Sequence, residues 1–122
     1  MKPGGIIITI IPNNVGLNGL IQKMLNRPVF DIHILLDLEA LVKAHITCSF
    51  KNIKSGYFLS TDFNYCNLNG LDPDKRSTRA KAFILNNLGR FSKAIWAIED
   101  NSIPLKASKF LSPCIIFVGK KN

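Results

Sequence analysis

The sequence predicts an α/β fold in which helices pack on a small sheet. Apolar runs rich in β-branched residues lie near both ends of the chain, at Ile6 to Ile11 and at Cys114 to Val118. Between them, apolar residues recur with the period of an α-helix in three places, and one more polar stretch has the composition of a strand. The predicted order is strand, helix, helix, strand, long helix, strand, which is typical of layered α/β domains.

Composition and charge indicate one cytoplasmic domain. The chain has 122 residues, 47% of them hydrophobic and 20% charged, which is typical of one globular domain and excludes an extended disordered chain. Its three cysteines are odd in number and contain no CxxC pair, so a disulfide framework and a common zinc knuckle are excluded and a reducing compartment is favoured. No apolar run has the length of a membrane span, and the N-terminal run lacks the cleavage pattern of a secretory signal.

The two apolar strands differ in what surrounds them. The first is predicted to follow a tight turn at Pro3 to Gly5 and to end at Pro12. Because Ile6 to Ile11 has almost no polar residue, it is typical of a central parallel strand that is covered on both faces. A central strand needs neighbours on both sides and only two further strands are predicted, so we expect the chain to be the C-terminal part of a larger domain. The last strand, Cys114 to Val118, is followed by a solvated tail over 119–122.

Two helices and a strand are predicted in the first half of the chain. The first helix is expected to be capped by Asn14 and closed by Pro28. The second is expected to begin at Asp37 and to end near His45. Ile46 to Leu59 combines β-branched and aromatic residues with lysine and serine, as a less buried or edge strand does. The apolar stripe of the first helix is Leu17, Leu20, Ile21, Met24 and Leu25, and that of the second is Leu38, Leu41 and Val42.

One long helix between two loops is predicted in the second half. The helix begins near Asp72 or Ser77, and we expect Gly89 to bend it or to divide it in two. The segments 60–74 and 100–112 are rich in asparagine, glycine, proline and serine and are predicted to be loops. The apolar stripe of the long helix is Ala80, Ile84, Leu88, Phe91 and Ile95; Trp96 lies beside it, and Phe91 and Trp96 are expected in the core.

A longer motif resembles a known family. The run from Lys2 to Asn13 is similar to the turn and fifth strand of class I S-adenosylmethionine-dependent methyltransferases, in which Lys-Pro-Gly-Gly leads into an apolar strand that often closes in Pro-Asn. The similarity continues at Asp31-Ile32-His33, where the family has a histidine before the helix that follows strand five, and at Leu38 to Leu41. It departs at Ala44-His45-Ile46, which stands where the family commonly has Gly-Phe.

The resemblance implies the C-terminal part of a Rossmann-like methyltransferase fold. Phe50 to Leu59 would be strand six, and Cys114 to Val118 would be strand seven, antiparallel and inserted between strands five and six. The chain would contribute a three-stranded mixed sheet in the order five, seven, six. Residues 1–122 would form one partial domain, in which 60–112 is an insertion between the last two strands.

The resemblance also implies a function. The complete domain would transfer a methyl group from S-adenosylmethionine to a small-molecule acceptor. The family binds its cofactor through a glycine-rich turn after strand one and an acidic residue after strand two, and neither is found in this sequence. Gly16 to Gly19 follows the wrong strand and lacks the glycine spacing. We therefore do not expect this chain to bind the cofactor alone, and we expect the N-terminal half of the domain, or a second copy, to pair with its exposed strand edge.

Candidate site residues lie after the first strand. Ligands of open α/β sheets bind outside the carboxyl ends of the strands, so Asn13 and Asn14 are candidates for the acceptor side of the site, the alternative being a turn and a helix cap. His33 is a candidate base that Asp31 orients, the alternative being a packed or capping histidine, and Asp31 is also a candidate for binding the substrate. His33 and His45 have no cysteine or carboxylate at ligand spacing, so no metal site is predicted.

The net charge of +8 supports a second hypothesis. A free-standing basic α/β module would bind nucleic acid or a protein partner, although no common RNA- or DNA-binding motif is found. Within a methyltransferase the same cations would favour a phosphate-bearing acceptor, and a solvated helix face is the simplest alternative. The cysteines, Cys48, Cys66 and Cys114, are expected to be small buried hydrophobes. The cations are Lys75, Arg76, Arg79, Lys81, Arg90 and Lys93 on the long helix and Lys106, Lys109, Lys120 and Lys121 after it.

Overall fold

Strands and helices alternate along the chain as the hydrophobic periods predict, so the α/β class is confirmed. A computed structural model describes residues 1–101 and 105–122. In that part of the chain, no helix combines the length and the apolarity needed to cross a bilayer. The elements are β1 (Ile6–Pro12), α1 (Leu17–Leu25), α2 (Arg27–Asp31), α3 (Leu38–Thr47), β2 (Phe50–Phe58), a short 3-10 helix (Phe63–Tyr65), α4 (Arg76–Asn101) and β3 (Cys114–Lys121).

The three strands form one sheet in the order β1-β3-β2. The predicted position of the last strand, between the other two, is therefore confirmed. Its predicted antiparallel direction is confirmed as well, because β3 is antiparallel to both of its neighbours. Every described pairing is therefore antiparallel, and the predicted description of the three-stranded sheet as mixed is wrong. β1 and β2 consequently run in the same direction, and their last residues, Pro12 and Phe58, both lie opposite Cys114.

β1 is an edge strand with one exposed face. Within the described sheet it pairs with β3 alone. Ile7 and Ile11 pack towards the core, whereas the alternate residues point away from it, and Ile8 is 63% exposed. The prediction that this strand is central and covered on both faces is wrong for the described residues. The apolar residues of the exposed face are Ile6, Ile8 and Ile10.

The core lies between the sheet and α3. Asp37 begins α3 as predicted, because its carboxylate accepts a hydrogen bond from the backbone N–H of Ala40 at 2.8 Å. His45, near the end of the helix, stacks on Phe117 with 4.1 Å between ring centroids. Its Nε2 lies 2.8 Å from the Thr9 hydroxyl, which ties α3 to β1. The fully buried cluster is small and consists of Leu41, Ile115 and Phe117.

Several element boundaries differ from the predictions. The tail predicted to be solvated belongs to β3 as far as Lys121, which lies opposite Phe50. Pro28 does not close the first helix; α1 ends at Leu25, and proline stands in the first turn of α2, where its missing N–H costs no hydrogen bond. β2 begins later than predicted because α3 extends to Thr47.

α4 is one continuous helix, so the predicted interruption at Gly89 is wrong. A Cβ at this position would lie 2.6 Å from Oδ1 of Asn64. The glycine therefore allows the helix to approach the 3-10 segment closely. Phe91 is 57% exposed and is not part of the core, contrary to the prediction. Of the loop predicted around Pro104, residues 102–104 lie outside the described residues.

Polar side chains fasten α4 to the segment that follows β2. The hydroxyl of Ser92 accepts a hydrogen bond from the backbone N–H of Phe63 at 3.0 Å. One turn further on, the indole N–H of Trp96 donates to the carbonyl oxygen of Thr61 at 2.8 Å. These two contacts and Gly89 lie on one side of α4. That side of the helix therefore holds the segment after β2 in place.

Candidate functional site

A small pocket lies outside the carboxyl end of β1, beside Pro113, which precedes β3. Its volume is about 40 Å³. Two of the residues predicted for the site, Asn14 and His33, line it together, although they come from separate segments of the chain. We call it the sheet-end pocket; its other polar lining residues are Asn18, Gln22, Tyr65, Cys66 and Asn67.

One face of α1, continued by its C-terminal cap Asn26, carries a buried stripe of amide side chains. Asn18, Gln22 and Asn26 recur every four residues and are 5%, 6% and 2% exposed. Asn18 Nδ2 donates to the Asp62 carbonyl at 2.7 Å. Gln22 makes a two-way contact with Asn67, donating from Nε2 at 2.9 Å and accepting at Oε1 at 2.8 Å. These hydrogen bonds fix the 62–67 segment against α1 and build one wall of the pocket.

The amide stripe shifts the buried face of α1 away from the predicted one. Of the apolar residues expected to be buried, Leu20 is 51% and Met24 is 73% exposed, whereas Leu17, Ile21 and Leu25 are half-buried. The helix begins at Gly16 without a side-chain cap, so the predicted capping role of Asn14 is wrong. The wall was not predicted because the apolar residues of α1 were used to assign its buried face. The signal that could have identified the wall is the spacing of three amide residues, four positions apart.

Asn13 is a structural anchor beside the pocket. It is 1% exposed, and its Nδ2 donates to the carbonyl oxygens of Lys109 and Ser112 at 2.8 and 2.9 Å. Its backbone N–H donates to the Pro113 carbonyl at 2.7 Å. The side-chain N–H groups of Asn13 thus hold the loop before β3 against the end of β1. Asn14, not Asn13, lines the pocket.

His33 lines the pocket and is otherwise exposed. Its Nδ1 lies 2.6 Å from the Val29 carbonyl oxygen, and because a carbonyl oxygen only accepts, Nδ1 carries the proton of the neutral ring. Nε2 then has a free lone pair. The predicted orienting role of Asp31 is wrong: Asp31 pairs with Arg27 at 3.3 Å, and Val29 orients the ring.

The thiols and the phenol near the pocket stay protonated at neutral pH. Burial, the charge of Asp62 and a hydrogen bond with the helix act on Cys66, and the net effect raises its pKa to about 11. The neighbouring Cys114 side chain and burial raise the pKa of Tyr65 to about 12. Burial likewise raises the pKa of Cys114. None of these groups is an activated nucleophile.

We expect the cysteines to differ in reactivity. Cys48 is exposed, contrary to the prediction, whereas Cys66 and Cys114 are buried as predicted. Iodoacetamide at neutral pH should therefore label Cys48 alone in the folded chain, as read by peptide mass spectrometry. Labelling of Cys66 as fast as that of Cys48 under these conditions would contradict the assignment.

The raised pKa of Cys66 also predicts a pH dependence of stability. The folded chain holds this proton up to about pH 11, whereas the unfolded thiol releases it near its ordinary value of 9.0. The contribution to stability is therefore complete below pH 9.0 and is lost as the pH rises towards 11. Urea unfolding of the wild type and of Cys66→Ala should show a steeper alkaline loss of stability in the wild type.

Gly19 is expected to be required at the base of α1. Alanine favours a helix by about 1 kcal/mol over glycine, yet a Cβ here would overlap the backbone carbonyl of Asn14. We expect Gly19→Ala to lower the free energy of unfolding by about 1–3 kcal/mol, as forced overpacking does. Gly56→Ala is the control, because no atom lies within 4 Å of a Cβ there. Equal stabilities of the two variants in urea titrations would show that the turn into α1 adapts without strain.

The cations of α4 form an exposed surface. Arg76, Arg79, Arg90 and Lys93 are all exposed. Among the described residues the single ion pair joins Arg27 to Asp31, so none of these four side chains is paired there. They do not line the sheet-end pocket.

Comparison of the chain with family models, with curated proteins and with solved structures found no match. What the chain does is therefore inferred from its residues and its geometry.

Proposed function

We propose that the chain is the C-terminal segment of a class I S-adenosylmethionine-dependent methyltransferase that acts on a small-molecule acceptor. The observation that carries the proposal is the strand order. β3 is the last strand in the sequence, yet it lies between β1 and β2 and is antiparallel to both. This is the arrangement that the Lys-Pro-Gly-Gly resemblance implies for strands five, seven and six.

The exposed side of β1 supports the same proposal. An edge strand that presents Ile6, Ile8 and Ile10 to solvent offers both an unpaired backbone edge and an apolar face. Such edges pair readily with another strand, and contiguous apolar patches mark interaction surfaces. The N-terminal half of a methyltransferase domain would supply the missing strand and the helices that cover this face.

The residues of this chain do not fit the cofactor. The described structure offers no glycine-rich approach to a ligand at Gly16 to Gly19, since a Cβ on Gly16 would lie 2.8 Å from the Phe110 carbonyl and one on Gly19 would overlap Asn14. Those positions are filled by the chain's own backbone. Binding of S-adenosylmethionine is therefore assigned to the other half of the domain.

In this proposal the chain supplies the acceptor side. The sheet-end pocket lies outside the carboxyl end of β1, where ligands of open α/β sheets bind. Asn14 would contact the acceptor, and Nε2 of His33 would accept a proton from it. Holding the acceptor in line with a methyl donor is a positioning task, which a rigid pocket performs well.

Calorimetry tests the proposal. S-adenosylmethionine is titrated into the 122-residue chain and into the same chain extended by the segment encoded directly upstream. We expect no binding to the chain alone and saturable binding to the extended protein. Tight binding by the chain alone, or an upstream segment without a glycine-rich turn and an acidic end to its second strand, would refute the proposal.

The exposed cations of α4 favour nucleic-acid binding as a second candidate function. Phosphate contacts made by Arg76, Arg79, Arg90 and Lys93 would weaken steeply with salt. A mobility shift of a generic RNA tests this, with the double variant Arg90→Glu and Lys93→Glu as the matched comparison. A salt-dependent shift that the double variant abolishes would support an RNA partner.

We also infer a reducing, cytoplasmic compartment. All three cysteines are free, and two of them are buried. Free thiols persist where disulfides are kept reduced. The inference fails if mass spectrometry of the protein isolated under non-reducing conditions from its source shows an intermolecular disulfide at Cys48.

A further inference from the structure

β2 has a free backbone edge. Within the described sheet it pairs with β3 alone. Apart from that pairing, no backbone hydrogen bond joins residues 51–58 to another described residue. A register shift between Asn52 and Lys54 leaves 54–58 as the regular part of the edge. The outer N–H and C=O groups of this short stretch are therefore open to a further strand.

A groove lined by α3 and β2 lies on one face of this edge. Its volume is about 810 Å³, and clefts that bind ligands have volumes of roughly 300–1,000 Å³. Tyr57 belongs to this face because it lies opposite the buried Ile115. Ile46, on the α3 wall, is 54% exposed, so the groove offers apolar contacts that the described chain leaves unused. We call it the α3 groove; its apolar lining residues are Leu38, Val42, Ile46 and Tyr57.

The charges around the α3 groove are balanced. Two carboxylates, Asp37 and Glu39, and two lysines, Lys43 and Lys109, are among its lining residues. Neither sign is in excess, so the side chains that enter the groove are selected by its apolar walls.

The opposite face of β2 is basic. Lys54 lies opposite Val118, which in turn lies opposite Ile8 on the uncovered face of the sheet. Lys51 lies opposite Lys120 on the same face. Lys51 and Lys54 are exposed, and neither forms an ion pair in the part of the chain that the structure describes. A strand added to β2 would therefore have lysines beside the side chains of its second face.

We propose that the outer edge of β2 binds an extended, acidic segment of a partner protein as an additional strand. Side chains alternate between the two faces of a strand. Apolar residues of the segment would enter the α3 groove, and acidic residues between them would lie beside Lys51 and Lys54. Main-chain hydrogen bonds supply affinity in this mode of recognition, and the alternating side chains supply specificity.

Charge argues against a second copy of this chain as the occupant. Pairing two β2 edges would bring Lys51 and Lys54 of both copies together, and like charges on paired strands are destabilising. The inference does not rest on the proposed function, because the N-terminal half of the domain is assigned to the β1 edge. A β2 edge that binds the segment would remain if the methyltransferase proposal failed, and the reverse also holds.

Two short peptides with blocked ends test the proposal. One alternates valine with glutamate and the other alternates valine with lysine. Each carries a fluorophore and is titrated with the full chain at low ionic strength, and anisotropy reports binding. The glutamate peptide should bind saturably and protect 54–58 from hydrogen exchange, whereas the lysine peptide should not bind. No saturable binding of the glutamate peptide, or protection at β1 instead of β2, would overturn the proposal. Protection of 54–58 that increases with the concentration of the chain alone would assign the edge to a second copy and would also overturn it.

Variants of the chain test the two faces separately. The double variant Lys51→Glu and Lys54→Glu should weaken binding of the glutamate peptide about tenfold and should allow the lysine peptide to bind. Ile46→Ala should weaken binding of the glutamate peptide about fivefold through lost apolar contact. Ile98→Ala is the matched control, because Ile98 is 57% exposed on α4, away from the groove. Unchanged binding by the double variant, or equal effects of Ile46→Ala and Ile98→Ala, would contradict the assignment.

Backbone methylation tests the added strand itself. The glutamate peptide is made in two further forms, with methyl groups on the valine amides or on the glutamate amides. In a strand, the N–H groups of alternate residues point to opposite edges. Only one of the two forms can then lose its hydrogen bonds to β2, so one should bind and the other should not. Equal affinities of the two methylated forms would show that the peptide does not bind as a strand.

Discussion

Phe117→Ala is expected to remove a large part of the stability of the fold. The Phe117 side chain is 0% exposed at the centre of β3, and it stacks on His45 with 4.1 Å between ring centroids. Truncating a buried phenylalanine costs about 3–5 kcal/mol, and whole domains are stable by only about 5–15 kcal/mol. Because the buried cluster here contains just Leu41 and Ile115 besides Phe117, few other contacts can compensate. Urea titration followed by far-ultraviolet circular dichroism measures the loss.

The matched control is Phe83→Ala. Phe83 has the same side chain but is 71% exposed on α4, so its removal should change the free energy of unfolding by less than about 0.5 kcal/mol. The fluorescence of the single tryptophan, Trp96, reports separately on the attachment of α4. Similar losses for Phe117→Ala and Phe83→Ala would contradict the position of the core between α3 and the sheet.

Ile8→Lys is expected to leave the fold intact and to abolish self-association of the isolated chain. Ile8 is 63% exposed on the uncovered face of β1, so a lysine there should cost less than about 0.5 kcal/mol. The wild-type chain should associate as its concentration rises, because it exposes an apolar face and an unpaired strand edge. A charge on this edge should keep the variant monomeric at the same concentrations. Sedimentation velocity over a concentration series measures the difference.

The neighbouring residue supplies the comparison. Ile7 points to the opposite face of β1 and packs against the core. Ile7→Lys should therefore cost about 2–5 kcal/mol, at least as much as the loss of a packed isoleucine. If Ile8→Lys were as destabilising as Ile7→Lys, this face would be packed within the chain. If the wild type stayed monomeric throughout the series, the exposed face would not be an association surface. After either outcome, the exposed face of β1 would no longer support the proposal that an N-terminal half of the domain covers it.

The candidate site was predicted only in part. The sequence pointed to the carboxyl end of the first strand, and Asn14 and His33 do line one pocket there. Asn18 was missed because the apolar residues of α1 placed the predicted buried face towards Leu20 and Met24, which are exposed. Asp31 was assigned to His33 from its proximity in the sequence, but the carbonyl of Val29 is the contact that orients the ring.

The main strands and helices follow from local patterns of amino acids. The β-branched runs form strands, and Asp37 begins α3, because strand preference and helix capping depend on residues a few positions apart. Which faces of these elements are covered depends instead on contacts between distant segments. The amides of Asn18 and Gln22 are buried because carbonyl and N–H groups of the 62–67 segment, more than 40 residues away, satisfy them. β1 lies at the edge because β3, from the other end of the chain, pairs with one side of it alone. Such pairings depend on partners that are distant in sequence, and the period of a single segment carries no information about them.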